Sequence, residues 1–243
     1  MSRDLFEGCI AGAGFASGDA VIVGAWRASP FGTFVDVMWR RPEGERVLLA
    51  PTPAIANYVA ALYRFDRVEV TGITGGWDGE SVAVEAGGLR IRLQAGHRGA
   101  QSWLFALRPR VLRRRPWWVQ VEERLARPVI GRVIGGAQGV RAAGIAPGGQ
   151  REYYSVDDYR RVVAGELTVG GRDAGALRCL PADLGVGLSA FPTVPAVVYV
   201  GTFIESLRDG GPGSAGLNPS GMGARLGRLK RSPRDETPVW DVP

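Results

Sequence analysis

Asp36 is the acidic residue whose sequence surroundings most favour a binding or catalytic role. It lies in the apolar stretch 31–40, with Phe34 and Met38 two positions away on either side. In a strand, residues two apart face the same side of the sheet, so these three side chains share one face. If that face is buried, the carboxylate needs a partner, because an unpaired charge in an apolar interior is costly. We interpret Asp36 as the polar anchor of an apolar ligand site. The alternative is an outward-facing aspartate on a half-exposed strand.

The same argument nominates neighbours for this anchor. Trp39, Tyr153 and Tyr154 are aromatic residues that could line the same space, where a few polar groups orient a ligand among apolar side chains. Arg90 and Arg92 are the candidate partners of the carboxylate, because both lie on a predicted strand. The predicted ligand-binding set is Phe34, Asp36, Met38, Trp39, Tyr153 and Tyr154.

The residue types that usually carry proton transfer, nucleophilic attack and soft-metal binding are scarce. The sequence has one histidine, His97, one lysine, Lys230, and two cysteines, Cys9 and Cys179, that are far apart. It contains neither a CxxC or zinc-binding spacing nor a G-x-S-x-G elbow. The sequence therefore predicts no metal and no cofactor, and it favours a protein that is not an enzyme.

The segment 108–118 combines basic and aromatic residues. Between residues 97 and 135 there are nine arginines and two glutamates. Such a segment suits an anionic membrane surface, an acidic protein partner or single-stranded nucleic acid. Alternatively, its tryptophans anchor an insert onto the fold while its arginines are solvated or paired with acidic strand faces. Nucleic acid is the least favoured partner because the rest of the predicted folded part is slightly acidic. The candidate surface residues are Arg108, Arg110, Arg113, Arg114, Arg115, Trp117 and Trp118.

The spacing of apolar residues predicts strands over most of the chain up to about residue 100. The segments 67–71, 82–86 and 89–93 alternate between apolar and charged residues, which is typical of strands with one buried face. Thr52 followed by Pro53 predicts the start of a short helix. The stretch 194–205 is apolar on both faces, which predicts a central strand.

Two further segments carry local signals for a helix and a turn. Ser155, with Asp158 three residues later, resembles a capping box, so 155–163 is predicted to be a short helix. The small residues of GAGFASG, over 12–18, predict a turn because they lack the strand and long helix that a dinucleotide-binding loop needs.

Together these elements predict a mainly β (α+β) protein. We expect an antiparallel barrel or strongly curved sheet of about nine or ten strands, with a helical insertion around 101–135. Residues 1–206 form a single domain in this prediction. The segment 207–243 is rich in Gly, Pro, Ser and charge, which predicts disorder. No signal peptide or membrane-spanning segment is recognised, so the predicted localisation is cytoplasmic, with peripheral membrane contact as an option.

Two limited resemblances to known barrels bear on this prediction. Gly24-Ala-Trp26 resembles the G-x-W found early in lipocalin-type barrels, which bind small ligands and pack a late arginine on the tryptophan. Here the tripeptide ends its predicted strand, and Arg208 is the late arginine that stands out. The length and strand-rich layout also allow a barrel similar to acetoacetate decarboxylase. That resemblance implies an activity that depends on a Schiff-base lysine, and the predicted folded part has none.

The sequence therefore favours a barrel that binds a small, largely apolar ligand, with the helical insert as a lid or membrane-facing flap. The second hypothesis is a non-catalytic interaction protein, recruited through 108–118 to an anionic membrane or an acidic partner. The third is an enzyme that uses Asp36 with Tyr153 or Tyr154. A cavity facing Asp36 would favour the first, a filled interior the second, and a cleft where carboxylate, tyrosine and arginine meet the third.

Overall fold

The computed structural model describes residues 2–99, 143–187 and 191–206. Within these residues the chain forms thirteen strands and one helix. The predicted helical insertion around 101–135 and the predicted tail 207–243 lie outside them. The elements are β1 (Ser2–Phe15), β2 (Ala20–Ala28), β3 (Phe34–Arg40), β4 (Arg46–Ala50), α1 (Pro53–Leu62), β5 (Arg67–Val70), β6 (Ile73–Trp77), β7 (Ser81–Ala86), β8 (Leu89–Ala95), β9 (Ala143–Ile145), β10 (Arg151–Val169), β11 (Arg172–Asp173), β12 (Leu177–Arg178) and β13 (Ala196–Ser206).

The strands form one large, strongly twisted sheet. Its order is β5-β4-β3-β2-β1-β13-β10-β8-β7-β6, while β9 and β11 pair with β10, and β12 pairs with β1. Neighbours along this path are antiparallel except β4 and β5, which run parallel and are connected through α1. The prediction of a mainly β protein with a strongly curved sheet is confirmed.

The long strand β10 folds the sheet back over itself. Its first half pairs with β13 and its second half with β8. The register shifts between Val156 and Asp158, and again between Val162 and Ala164. Such bulges bend a strand and increase its twist. The hairpins β6–β8 consequently pack against the strands that begin the chain.

Strands β1 to β4 bury side chains on both of their faces. One face packs against β6–β8 and the second half of β10, and we call it the sheet-packed face. The opposite face is covered by α1, and we call it the helix-covered face. Alternation along β3 divides its residues between the two, with Val35, Val37 and Trp39 on the sheet-packed face and Phe34 and Met38 on the helix-covered face.

Helix α1 begins where the sequence predicts. The hydroxyl of Thr52 accepts a hydrogen bond from the backbone N–H of Ile55 at 3.3 Å. Pro53 opens the helix, where the N–H that proline lacks would have no intrahelical partner. The buried residues Ile55, Val59 and Leu62 pack onto the helix-covered face, which fixes the helix over the sheet.

One local prediction was wrong, and another was right only for residues 16–18, which form a turn. Residues 155–163 belong to β10 and not to a helix, because backbone pairing with β13 and β8 outweighs one local capping signal. The first four residues of the predicted turn 12–18 belong to β1, which lies between β2 and β13. Close packing explains the glycines among them, since a Cβ on Gly12 would lie 2.5 Å from the ring of Phe191.

The predicted central strand is confirmed. It corresponds to β13, which pairs with β1 along one edge and with β10 along the other. Its apolar side chains enter both buried faces, with Val197 on the sheet-packed face and Val198 on the helix-covered face. This placement explains why the segment is apolar throughout instead of alternating with polar residues.

Candidate functional site

A cavity lies between α1 and the helix-covered face. Its volume is about 520 Å³ with the open mouth included, which sets an upper limit on a bound molecule. Ligand sites usually have mostly apolar walls and a few placed polar groups. The described lining follows this pattern. Its polar side chains are those of Asp36, Tyr58, Tyr63, Tyr154 and Thr202.

Asp36 is a buried carboxylate in the wall that the sheet contributes. Its surface is 3% exposed, and the indole Nε1 of Trp26 donates a hydrogen bond to its Oδ1 at 2.9 Å. Burial raises the pKa of Asp36 to about 7, although the hydrogen bond from Trp26 opposes this shift in part. A carboxyl group that exchanges its proton near neutral pH, at a cavity wall, is a candidate functional group.

Gly24 makes the hydrogen bond between Trp26 and Asp36 sterically feasible. The pairing of β2 with β3 places Gly24 directly opposite Asp36. A Cβ on Gly24 would lie 2.5 Å from Oδ1 of Asp36 and 2.6 Å from Nε1 of Trp26. The tripeptide Gly24-Ala-Trp26 therefore supplies both the space and the donor for the carboxylate.

Aromatic rings cluster beside this carboxylate. Phe6 lies at the centre of the cluster, with the centroids of four other rings 5.5 to 6.5 Å from its own. The hydroxyl of Tyr58 donates to Oδ2 of Asp4 at 2.8 Å, and burial raises the pKa of Tyr58 well above its ordinary value. Tyr58 is therefore protonated at neutral pH. We call the rings of Phe6, Trp26, Phe31, Phe34 and Tyr58 the aromatic cluster.

A second polar group lies around Glu152, which is fully buried. The hydroxyls of Tyr63 and Tyr154 donate to its two carboxylate oxygens at 2.5 and 2.7 Å. Burial raises the pKa of Tyr63 well above its ordinary value, and the neighbouring Tyr154 and Glu152 add to the shift. Thr202 also lines the cavity, and its buried hydroxyl oxygen has no hydrogen-bond partner within the described part of the chain. A bound molecule could use that hydroxyl.

The cavity brings together four of the six predicted ligand-binding residues, namely Phe34, Asp36, Met38 and Tyr154. The other two lie elsewhere. Trp39 packs into the sheet-packed face, where its Nε1 donates to Oδ1 of Asp19 at 2.8 Å. Tyr153 packs against Phe203. Each is one residue away from a cavity residue, and adjacent residues of a strand face opposite sides.

The prediction that Arg90 and Arg92 are partners of Asp36 was wrong. Arg90 and Arg92 occupy exposed positions of β8, and Nε of Arg90 donates to Glu85 at 2.8 Å. Charged residues on β8 alternate with Leu89, Ile91 and Leu93, whose side chains fill the sheet-packed face. The arginines therefore point away from the interior, and the described partner of Asp36 is Trp26.

Sequence reasoning also missed residues that the fold brings to the cavity. The sequence analysis gave Tyr58, Tyr63, Glu152 and Thr202 no role in the site. The pairing of β10 with β13 places Tyr154 opposite Thr202. No local pattern encodes that pairing.

The predicted basic surface cannot be located within the fold, since Arg108, Arg110, Arg113, Arg114, Arg115, Trp117 and Trp118 lie outside the described residues. Its role as a lid or a partner-binding segment stays a prediction.

Across residues 2–99, 143–187 and 191–206, no group of three or more His, Cys, Asp or Glu side chains could hold a metal ion. Within the same ranges, no helix has the length and apolar character needed to cross a membrane.

Comparison with known proteins gives little beyond these observations. No protein-family model matches the chain, and no curated protein matches it. A solved structure of acetoacetate decarboxylase from Legionella pneumophila is similar over 84% of this chain and 83% of that one. The sequence identity is 9% and the TM-score is 0.35. At that TM-score the likeness supports no conclusion about this chain.

Proposed function

We propose that this protein binds a small, largely apolar ligand in the cavity between α1 and the sheet, with Asp36 orienting it. One observation carries the proposal: a buried carboxyl group lies in the wall of an otherwise aromatic and aliphatic cavity. Burial of a carboxyl group costs folding free energy unless its hydrogen-bonding capacity is used. A ligand that contacts Asp36 would use that capacity and would shield the aromatic walls from water.

The apolar walls supply a driving force for binding. Removing apolar surface from water contributes about 25 cal/mol per Å², so a molecule with about 150 Å² of apolar surface would gain a few kcal/mol before the costs of association. The polar groups would then set its orientation. The hydroxyl of Thr202 is available in the same wall region as Tyr154.

Native mass spectrometry of freshly purified protein, together with an organic extract of the same sample, tests this proposal. We expect a reproducible bound small molecule. The variant Met38→Phe should lose it, because the larger side chain occupies the cavity. The control is Val37→Ala, since Val37 lies on the same strand but faces the sheet-packed side, and this variant should retain the molecule.

Two results would overturn the proposal. One is a mass equal to that of the chain alone, unchanged after incubation with lipid and metabolite extracts. The other is a bound molecule that Met38→Phe retains as well as the native protein does, since it would then bind elsewhere.

An enzyme that uses Asp36 with Tyr154 is the second candidate function. Both residues line the same cavity, whereas Tyr153 does not. A carboxyl group whose pKa is about 7 is suited to general acid–base catalysis at neutral pH. Mass spectra of a metabolite extract incubated with native protein or with Asp36→Asn test this candidate. Conversion of a component by native protein alone would support catalysis, and identical extracts would leave only binding.

A further inference from the structure

We propose that the ligand of this cavity is a small organic cation, an amine or a quaternary ammonium compound, whose charge pairs with Asp36 and lies against the aromatic cluster. This inference rests on the proposed ligand-binding function and adds the chemical class. It draws on the charge of the cavity wall, the burial of Asp36 and the rings around it.

The described wall of the cavity carries acidic and phenolic groups but no basic side chain. Carboxylates also lie directly behind the wall, where they accept hydrogen bonds from the phenols. The phenols of Tyr58 and Tyr63 are uncharged at neutral pH, so the charge of this region comes from its carboxyl groups, and a cleft with negative charge concentrates cations. The titratable groups concerned are Asp36, Tyr58, Tyr63 and Tyr154 in the wall, with Asp4 and Glu152 behind it.

Burial makes Asp36 selective for a positive partner. An isolated buried carboxylate is disfavoured, and a cation within a few ångströms restores its charged form. Within the described residues, the side-chain donor to this carboxyl group is the neutral indole of Trp26, which occupies Oδ1. A cation would supply charge compensation that the indole does not, whereas a neutral apolar ligand would supply none.

The aromatic cluster supplies a second attraction for a cation. Four of its five rings line the cavity, and Asp36 is flanked along β3 by one of them, Phe34. Aromatic faces attract ammonium groups within about 6 Å of the ring centroid, and several rings together form the cages that recognise quaternary ammonium. A neutral alcohol could also donate a hydrogen bond to Asp36. It would lack the cation–π attraction that the ring faces offer to a charged group.

Calorimetric titration with choline and with 3,3-dimethyl-1-butanol tests the inference. The two probes have nearly the same shape, but only choline carries a charge. We expect choline to bind at least about tenfold more tightly, the ratio that one good cation–π contact would give. The affinity of Asp36→Asn for choline should fall several-fold toward that of the alcohol, and the part of the preference that the rings supply should remain. The exposed carboxylate variant Asp66→Asn should bind choline like the native protein.

The pH dependence of choline binding gives an independent readout. Choline keeps its charge at every pH, so its affinity should rise with pH up to about 7 and then become constant, as Asp36 ionises. Tyr58 and Tyr63 stay protonated over this range because their pKa values are raised. Asp36→Asn should remove the rise, which separates Asp36 from Asp4 and Glu152.

Each outcome separates this inference from the proposed function. Equal affinities for choline and the alcohol would overturn the inference that the ligand is a cation, while supporting the cavity as a ligand site. A neutral or anionic molecule in the native mass spectrum would do the same. A cation in that spectrum would support the inference even if choline itself is too small to bind. If neither probe binds and no ligand is found, the proposed function fails and this inference with it.

Discussion

Two tryptophan–aspartate hydrogen bonds lie on opposite faces of the same strands. On the sheet-packed face, Trp39 donates to Asp19 at 2.8 Å, and Ser17 donates to the other oxygen of Asp19 at 2.6 Å. On the helix-covered face, Trp26 donates to Asp36 at 2.9 Å. Asp19 lies at a turn that closes the first hairpin, whereas Asp36 lies in the middle of a strand, at a cavity wall. The same pair thus completes a turn on one face and places a carboxyl group in a cavity wall on the other.

The faces differ in filling as well as in polarity. The sheet-packed face holds interlocking aliphatic side chains from β1–β4 and from β6–β8. The helix-covered face is covered by α1 together with Leu180, Val186 and Phe191, and the cavity that remains is lined by four rings of the aromatic cluster. The first face is therefore filled by the protein's own side chains, whereas the second leaves a cavity.

The largest expected effect concerns the pH dependence of stability. Because the pKa of Asp36 is raised to about 7, the unfolded chain ionises before the folded protein as pH rises from about 4. Native protein therefore loses stability from Asp36 as pH rises from about 4 to about 7, and the loss is constant above that. An asparagine at this position does not ionise, so the variant Asp36→Asn escapes this loss. The unfolding free energy of Asp36→Asn minus that of native protein should therefore be larger at pH 8 than at pH 4 by on the order of 4 kcal/mol.

Urea unfolding at several pH values measures this difference. Asp66→Asn is the control, because Arg46 lowers the pKa of Asp66 to about 2 and its ionisation is complete above about pH 5. The difference between that variant and native protein should be flat from pH 5 to 8. A flat difference for Asp36→Asn as well would show that Asp36 is solvated, and would remove the contrast between the two faces.

Gly24→Ala is the next largest expected change. Its Cβ would collide with both Asp36 and Trp26, so either the hydrogen bond breaks or the strands separate locally. We expect a loss of about 3 kcal/mol in unfolding free energy, measured by urea denaturation at constant pH. The matched control is Gly72→Ala, because a Cβ there meets no atom within 4 Å. Similar losses in both variants would show that the close approach at Gly24 is unimportant.

Adding volume should affect the two faces differently. Val37 is fully buried in the sheet-packed face, so Val37→Leu should cost about 1–3 kcal/mol through overpacking. Met38 is its neighbour on β3 and lines the cavity, so Met38→Phe should change the unfolding free energy by less than about 1 kcal/mol. Thermal or urea unfolding of both variants compares the faces directly. A larger cost for Met38→Phe would mean that the helix-covered face is as tightly filled as the other.

The smallest effect is expected at the arginines that sequence reasoning paired with Asp36. Arg90 is exposed and forms an ion pair with Glu85 at 2.8 Å, and such surface pairs contribute little. Arg90→Ala should lower the unfolding free energy by less than about 0.5 kcal/mol. The difference in stability between this variant and native protein should not vary between pH 4 and 8. A pH-dependent difference would place Arg90 near Asp36 after all.

Period-two alternation was enough to predict one wall of the site. It placed Phe34, Asp36 and Met38 on one face of β3, and the structure has them together in the cavity. It also predicts that neighbouring residues face away, which explains why Trp39 does not join them. The sequence left open which of Tyr153 and Tyr154 faces the cavity, because both are aromatic and the register of β10 is not encoded locally.

The rest of the site depends on contacts between distant segments. The partner of Asp36 follows from the register of β2 against β3. Tyr63, at the end of α1, donates to Glu152 of β10, which is 89 residues away in the sequence. Local signals failed where long-range pairing was stronger. The segment 155–163 carries a helix-capping signal but is held as a strand by β13 up to Arg161 and by β8 from Val162. Bulges in β10 further obscured its alternation.

The most direct test of a ligand cavity beside Asp36 is an NMR titration of protein labelled with ¹³C at its methionine methyl groups. The sequence has three methionines, and Met38 is the one that lines the cavity within the described residues, so Met38→Leu identifies its signal. A panel of small amines, quaternary ammonium compounds, alcohols and aromatic molecules would be added up to about 10 mM, enough to detect binding in the millimolar range. The account predicts that at least one cation moves the Met38 signal saturably, and that Ile22→Phe, which fills the cavity, abolishes the shift. A Met38 signal that no compound moves would contradict it.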